Sequence, residues 1–273
     1  MSPKDRLINL LNRLIDKGSQ QQFNLLFHRY HEADIADVLE QLPTDRKTLF
    51  FSRILTSETV DVFEEMDMES QIDIIQNFKI ENAAELIEKM EKDDAVDLLE
   101  ALLDEDQSKA KQILTKMDLN DQIELNRLLN YKDDSAGALM TTDFVTIPEQ
   151  LTVKEALTLY QKKSPKESDA AFYLFIVNGH NQIKGVISIR KLLLAPGEIL
   201  VKEVRNNHPI KVHVTTDQED VAKLFQKYRS IVLPVVDELD IVLGVITIDD
   251  VVDVVVEEAN EDMLKLSGTS GDD

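Results

Sequence analysis

The sequence predicts a multidomain protein of α and α/β class: an all-α superhelical array of short helices, a tandem pair of small α/β units, and an acidic exit helix. Three observations predict it. Amphipathic heptapeptides recur at multiples of twelve residues through the first half. Two segments, GVISI from Gly185 and GVITI from Gly244, match at four of five positions and lie 59 residues apart. The stretch GVITIDDVVDVVVEEANED, residues 244–262, then places seven carboxylates in its last fourteen residues and holds no Lys or Arg.

The first half is read from its periodicity. The segments 36–42 (ADVLEQL), 60–66 (VDVFEEM), 84–90 (AELIEKM) and 96–102 (VDLLEAL) start at multiples of twelve, and 48–54, 72–78 and 108–114 fill the slots between. Most carry apolar groups at places one, three, four and seven, one face of a helix turning every 3.6 residues. Helices of about two turns are unstable alone, so these units must stack as solenoid repeats do, over residues 1–132. The second place is often acidic (Asp37, Asp61, Asp73, Glu85, Asp97) and reads as a solvated face. Asp93, Asp94 and Asp97 differ: Asp93 and Asp97 lie one turn apart, where like charges destabilise by roughly 0.2–0.5 kcal/mol. A helix start would offset that, and the spacing leaves a capping role and a metal-ligand role equally open.

After Tyr131 the period changes. Strands are expected at 172–178 and 184–189, with a turn at 179–181 between them, then a helix from Arg190 that Pro196 and Gly197 stop. The same order returns at 231–237, 238–240 and 243–248, with a helix from Asp249. Amphipathic helices, 153–162 and 218–228, precede the two hairpins. This is a tandem duplication.

Charge and composition narrow the chemistry. The net charge of -22, from 52 acids against 30 bases, opposes binding to nucleic acid or anionic membrane and favours cations. With no Cys there is neither a disulfide framework nor a thiolate zinc site. No apolar stretch approaches the roughly 20 residues that span a bilayer, and MSPKDRLINLLNRL lacks signal-peptide form, so the chain as given is expected to be soluble. GxSxG, Walker A and HExxH motifs are absent, which argues against an enzyme, and the absence of an EF-hand loop argues against a calcium sensor. His28 and His31 are expected to share a helical face, with a surface role favoured over a zinc site.

The paired Gly-x-x-Ser/Thr-x-x-Asp pattern after a hairpin resembles a CBS-domain pair. The second unit matches fully with Gly244, Thr247 and Asp250; the first has Gly185 and Ser188, but Lys191 where the acid belongs. In such a motif Gly admits a close approach to the backbone, the hydroxyl bonds a phosphate and the acid bonds ribose hydroxyls. A helical array, DSAGALMTTDFVTI (134–147), two CBS units and DDVVDVVVEEANEDMLKL (249–266) together resemble the cytosolic portion of MgtE-type magnesium transporters, over nearly all of the chain.

The resemblance implies an N-terminal helical domain at 1–132, CBS domains at 133–199 and 200–257, and the start of an acidic plug helix at 258–273, before a membrane pore that the sequence does not reach. It implies a regulatory region on the cytoplasmic side of the cell membrane, homodimeric through its CBS domains (about 137–258), that senses Mg²⁺ and holds the pore shut when magnesium is high. Carried over residue by residue, the array's ligands would be Asp61, Asp93 and Asp97. The CBS side would supply Glu219, Asp250 and Asp253, and the exit helix Glu258, Glu261 and Asp262. Arg229 stands where the family can carry an acid, so one ion site is expected to be lost or replaced by a salt bridge.

The residues agree in kind. Asp250, Asp253, Glu257 and Glu261 fall near one face of a continued helix, opposite Val252, Val255 or Val256, Ala259 and Met263. Mg²⁺ demands oxygen ligands and keeps several waters, which suits carboxylates scattered over facing domains. The competing reading is a CBS module responsive to ATP or another adenine nucleotide, with Ser188, Arg190, Thr247 and Asp250 as contacts. A pure scaffold would explain the array but leave the acidic helix without a purpose.

Overall fold

Ten helices among the described residues up to Leu129 show how short helices become stable. They are α1 (Pro3–Lys17), α2 (Gln20–Phe27), α3 (Glu32–Leu39), α4 (Thr44–Arg53), α5 (Ser57–Glu64), α6 (Met68–Asn77), α7 (Ile80–Lys89), α8 (Lys92–Glu105), α9 (Gln107–Lys116) and α10 (Leu119–Leu128). The structure, a computed structural model, describes residues 3–163, 169–252 and 254–256. The chain divides into two compact units, one ending at Leu129 and the other starting at Asn130.

In the first unit, from α3 on, each helix packs on the helix two places along: α3 on α5, α4 on α6, α5 on α7, α6 on α8 and α7 on α9. The structural repeat is therefore a pair of helices, twice the twelve-residue spacing. The expected stripes are the ones buried: Val60, Val62, Phe63 and Met66; Ala84, Leu86, Ile87 and Met90; Val96, Leu98, Leu99 and Leu102. Phe23, Phe50, Phe51 and Phe63 meet edge to face in sequence at 5.7, 5.0 and 5.3 Å. Each such pair adds about 0.5–1.5 kcal/mol beyond its burial. Two turns of helix thus gain from neighbours what they lack alone.

Carboxylates bind helices three places apart. Glu40, Glu64 and Glu88 are spaced by 24 residues. Glu40 Oε1 accepts the N–H of Asp67 at 3.2 Å, Glu64 Oε1 that of Glu91 at 2.8 Å, and Glu88 Oε1 that of Asp118 at 2.5 Å. These N–H groups belong to the N-caps of α6, α8 and α10. Each acid thus sits at the positive end of a helix and satisfies a donor there. Lysines serve the opposite ends: Lys109 Nζ donates to the carbonyls of Gln76 and Phe78 at 2.6 and 3.2 Å, and burial pushes its pKa below the ordinary lysine value.

The second unit is the duplication. One three-stranded sheet is ordered β1 (Val145–Pro148), β2 (Tyr173–Val177), β3 (Ile183–Ser188), the other β4 (Val212–His213), β5 (Val232–Val236), β6 (Val242–Thr247). Each pairs parallel and then antiparallel, with an irregularity at the same place, between Ile176 and Val177 and between Val235 and Val236. The hairpin strands lie within a residue or so of their expected bounds. The lead strands β1 and β4 were missed by sequence reasoning, because strands of four and two residues with distant parallel partners carry no alternation to read.

Helix α11 (Val153–Lys163) crosses from β1 towards β2, and α12 (Ile189–Leu194) and α13 (Val201–Val204) follow β3. Helix α14 (Gln218–Tyr228) lies between β4 and β5, and residues 248–252 and 254–256 are helical after β6. The repeats exchange segments. Thr141 and Val245 trade both backbone bonds at 2.9 Å, which attaches the stretch before β1 to the second sheet; Asn206 N–H donates to Val186 C=O at 3.1 Å, which attaches the stretch before β4 to the first. Phe175, Ile183, Val232, Val236 and Val245 form a core shared by both sheets.

Candidate functional site

The expected ligands of the array come from two helices. Asp61, on α5, is half-buried. Asp93 and Asp94 occupy the first turn of α8, and Asp97 follows one turn on. The helix start supplies the macrodipole that offsets their repulsion, while the N-cap itself is Glu91. Asp93 and Asp97 are not equivalent: Asp93 is 9% exposed, Asp97 faces solvent. The other acids at second places behave as a surface. Glu85 pairs with Lys89 at 2.9 Å, and Asp73 accepts from the Thr44 hydroxyl at 3.2 Å.

In the second unit, Glu219 lies in the first turn of α14 and pairs with Lys223 at 3.2 Å; Lys223 also reaches Asp220 at 3.0 Å. Hydrogen bonds to Asp220 first, and to Glu219 second, raise the Lys223 pKa above its ordinary value. The pair is exposed, and a solvated ion pair of this kind yields readily to a divalent ion.

Asp250 Oδ2 accepts the Thr247 N–H at 3.1 Å and the Thr247 hydroxyl at 2.7 Å. The Asp250 carboxylate thus reaches back to the Thr247 N–H, as the acid of a capping box does, and closes the turn from β6 into the helical residues 248–252. Thr247 is buried and its hydroxyl also bonds Asp249. Asp253, Glu258, Glu261 and Asp262 lie outside the described residues.

Among the described residues no three Asp, Glu or His side chains gather at one point. The donor set is nevertheless one that a hard cation accepts, since Asp61, Asp93, Asp97, Glu219 and Asp250 offer only oxygen. Mg²⁺ takes one or two carboxylates and completes its octahedron with water. The residues fit the ion as partial donors, not as a closed cage.

Packing corrects some expectations and adds detail to others. The CBS glycines admit the chain's own backbone: a Cβ at Gly244 would lie 2.6 Å from Met140 Sδ and 2.8 Å from the Thr141 carbonyl, and one at Gly185 would meet Asn206 and Arg205. Ser188 caps α12, its hydroxyl accepting the Lys191 N–H at 3.3 Å, while Arg190 is exposed. His28 and His31 do not share a helical face, since His28 ends α2 and His31 caps α3. After β6 the inward face is Val251 and Val254, leaving Val252, Val255 and Val256 exposed. Arg229 ends α14 at φ 50° and makes no ion pair among the described residues. Sequence reasoning also missed Glu40, Glu64 and Glu88, although their 24-residue spacing was legible.

An apolar cleft of about 730 Å³ opens between α14 and the helical residues 248–252 and 254–256. Phe225, Val251 and Val254 lie in its lining, with Glu219 and Arg229 among its polar groups. Tyr228 and Ile231 are exposed nearby, 45% and 52%. The first repeat likewise exposes Leu193 and Leu194 on α12.

Comparison with known proteins follows the two units. Residues 30–134 match the family described as the MgtE intracellular N domain, and residues 136–198 and 201–257 match the CBS domain. A magnesium transporter MgtE of Thermus thermophilus is 33% identical over 263 residues, 96% of this chain and 58% of that protein. One of Bacillus subtilis is 30% identical over 268 residues, 98% of this chain and again 58% of the relative. The chain thus spans a little over half the length of these curated relatives. Two solved structures are similar. The soluble part of a magnesium transporter has a TM-score of 0.86 and 30% identity, covering 94% of this chain and 99% of that one. The cytosolic domain of the Mg²⁺ channel MgtE in complex with ATP has a TM-score of 0.82 and 28% identity, covering 90% and 99%. No described helix is long and apolar enough to cross a membrane.

Proposed function

The chain belongs to the MgtE family, with that family's intracellular N domain and CBS pair in order, and from that premise we propose that it is the Mg²⁺-sensing regulatory region of a magnesium transporter. In this reading it lies on the cytoplasmic side of the membrane, joined to a pore. Carboxylates of both units share ions, and the shared ions favour the closed pore when magnesium is high. The observation that carries the reading is the donor set: a chain of net charge -22 whose helical array offers Asp61, Asp93 and Asp97, and whose CBS pair offers Glu219 and Asp250. Asp253, Glu258, Glu261 and Asp262 extend the set.

A ligand shifts a conformational equilibrium only by its differential affinity. Several weak sites filled together supply the few kcal/mol that a steep response requires. Without ions the acids repel; with ions they are bridged. Small-angle scattering of the 273-residue chain should give a smaller radius of gyration in millimolar Mg²⁺ than in chelator, and Asp97→Ala with Asp250→Ala should reduce the difference. Equal radii and equal protease resistance in both conditions would leave the acids as a solvated surface.

The chain is further proposed to act as a homodimer through its CBS pair. Val252, Val255 and Val256 beside the apolar cleft, with Tyr228 and Ile231, form a patch that water covers poorly. Nucleotide binding is the second reading, favoured by the complete Thr247 and Asp250 motif and by the solved relative in complex with ATP. Thr247 and Asp250 already bond each other, and Lys191 replaces the first acid, so affinity should be modest, with Ser188 and Arg190 left to meet phosphate. Calorimetry with ATP tests this; submicromolar affinity would promote nucleotide sensing to the primary role.

A further inference from the structure

Asp61 and the pair Asp93 and Asp97 stand on different helices, α5 and α8, while α5 packs on α3 and α7, and α8 on α6, α9 and α10. A direct bond nevertheless joins α5 to α8: Glu64, three residues after Asp61, accepts the N–H of Glu91, two residues before Asp93, at 2.8 Å. We propose that Glu64 is a positioning residue for the array's ion ligands, its carboxylate fixing the start of α8 against the end of α5 and so setting Asp93 and Asp97 relative to Asp61. This rests on the reading of those three acids as Mg²⁺ ligands.

Both ends of the bond are held. On the α5 side, the side-chain amide of Gln71, itself buried, donates to the carbonyls of Phe63, Glu64 and Met66 at 2.9, 3.2 and 3.0 Å. The last turn of α5 is therefore clamped, and the Glu64 carboxylate leaves from a fixed base. On the α8 side, Glu91 has φ -58° and ψ 149°, an extended cap whose N–H lies outside the helix ladder. A carboxylate there also meets the positive end of the α8 dipole, so charge and hydrogen bond act together. Glu88 makes the same bond to the N-cap of α10, whose first turn carries Asp121 and none of the expected ligands. The repeat thus contains its own control.

The side-chain chemistry separates positioning from ligation. Gln at position 64 keeps an oxygen that can accept the Glu91 N–H and removes the charge an ion would use. Ala removes both. The test is an MgCl₂ titration of the full 273-residue chain at constant ionic strength, read by protease protection, with hydrogen exchange of residues 95–97 measured in chelator. Glu64→Ala should raise the Mg²⁺ midpoint roughly three- to tenfold, as loss of one hydrogen bond of ordinary net strength implies, and speed exchange in α8. Glu64→Gln should stay within about twofold of the parent, and Glu88→Ala should lower the melting temperature yet leave the midpoint within about twofold. The proposal is overturned if Gln is as damaging as Ala, which would make Glu64 a ligand. It is equally overturned if Glu88→Ala shifts the midpoint as far, which would mean general loosening, or if Glu64→Ala shifts nothing. A parent chain that ignores Mg²⁺ would sink the sensor reading itself and this inference with it.

Discussion

Asp250 closes a turn and is proposed as an ion ligand, and substituting it twice tells the two roles apart. Its Oδ2 holds the Thr247 N–H at 3.1 Å and the Thr247 hydroxyl at 2.7 Å, so Asp250→Ala removes a capping acceptor from a buried turn. Caps of this kind are worth about 0.5–2 kcal/mol, and at roughly 3–4 °C per kcal/mol the melting temperature in chelator should fall by about 2–8 °C. Asp250→Asn retains an amide oxygen for the Thr247 N–H and should cost a few tenths of a kcal/mol. The ion response behaves differently. A site filled at about twenty times its Kd stabilises the folded state by RT ln 21, about 1.8 kcal/mol, or about 5–7 °C. A neutral amide is a poor substitute for a carboxylate on Mg²⁺, so Asn should forfeit that increment while sparing the apo melt. Thermal melts of parent, Asn and Ala chains in chelator and in about 20 mM MgCl₂ read both quantities. An Asn chain that gains as much from Mg²⁺ as the parent would refute Asp250 as a ligand, and an Ala chain that melts like the parent in chelator would refute the cap.

Other outcomes follow from single features. Val252→Asp with Val256→Asp places charge on the exposed apolar patch and should weaken self-association roughly tenfold or more; light scattering that shows an unchanged dimer would move the interface elsewhere. Gly244→Ala forces a Cβ to 2.6 Å from Met140 Sδ and 2.8 Å from the Thr141 carbonyl, and should destabilise by about 1–3 kcal/mol; an unchanged melt would mean the exchanged segment yields. Acid should destabilise the fold, because hydrogen bonds hold three carboxyls below their ordinary values: Asp16 by Arg46, Glu58 by its own backbone N–H and then Thr56, Glu155 by the backbone N–H and then the hydroxyl of Thr152. Depressed folded values mean stability that is complete above the unfolded pKa of about 4 and is lost as pH falls through the folded ones. A melting temperature that stays level from pH 5 to about pH 3 would contradict those bonds.

Local periodicity determined much of this protein. An apolar residue at places one, three, four and seven has one buried face in any helix, so Val60, Ala84 and Val96 and their neighbours went inward as their spacing required. The near-identity of GVISI and GVITI likewise entailed two sheets of one design, since a duplicated pattern of alternation folds by the same short-range rules. The tertiary structure decided which acids do what. Glu64 and Asp97 are both carboxylates on short helices; one caps a helix three places along and the other faces solvent, and that distinction depends on partners 27 or more residues away. Which valines after β6 turn inward was also settled by packing: Val251 and Val254 are buried while Val252, Val255 and Val256 stay exposed, because a run of valines has no periodicity of its own to choose a face. The glycines of the duplicated motif are explained by the exchanged segments, Met140 and Thr141 against Gly244, a contact between residues about a hundred positions apart that no local pattern encodes.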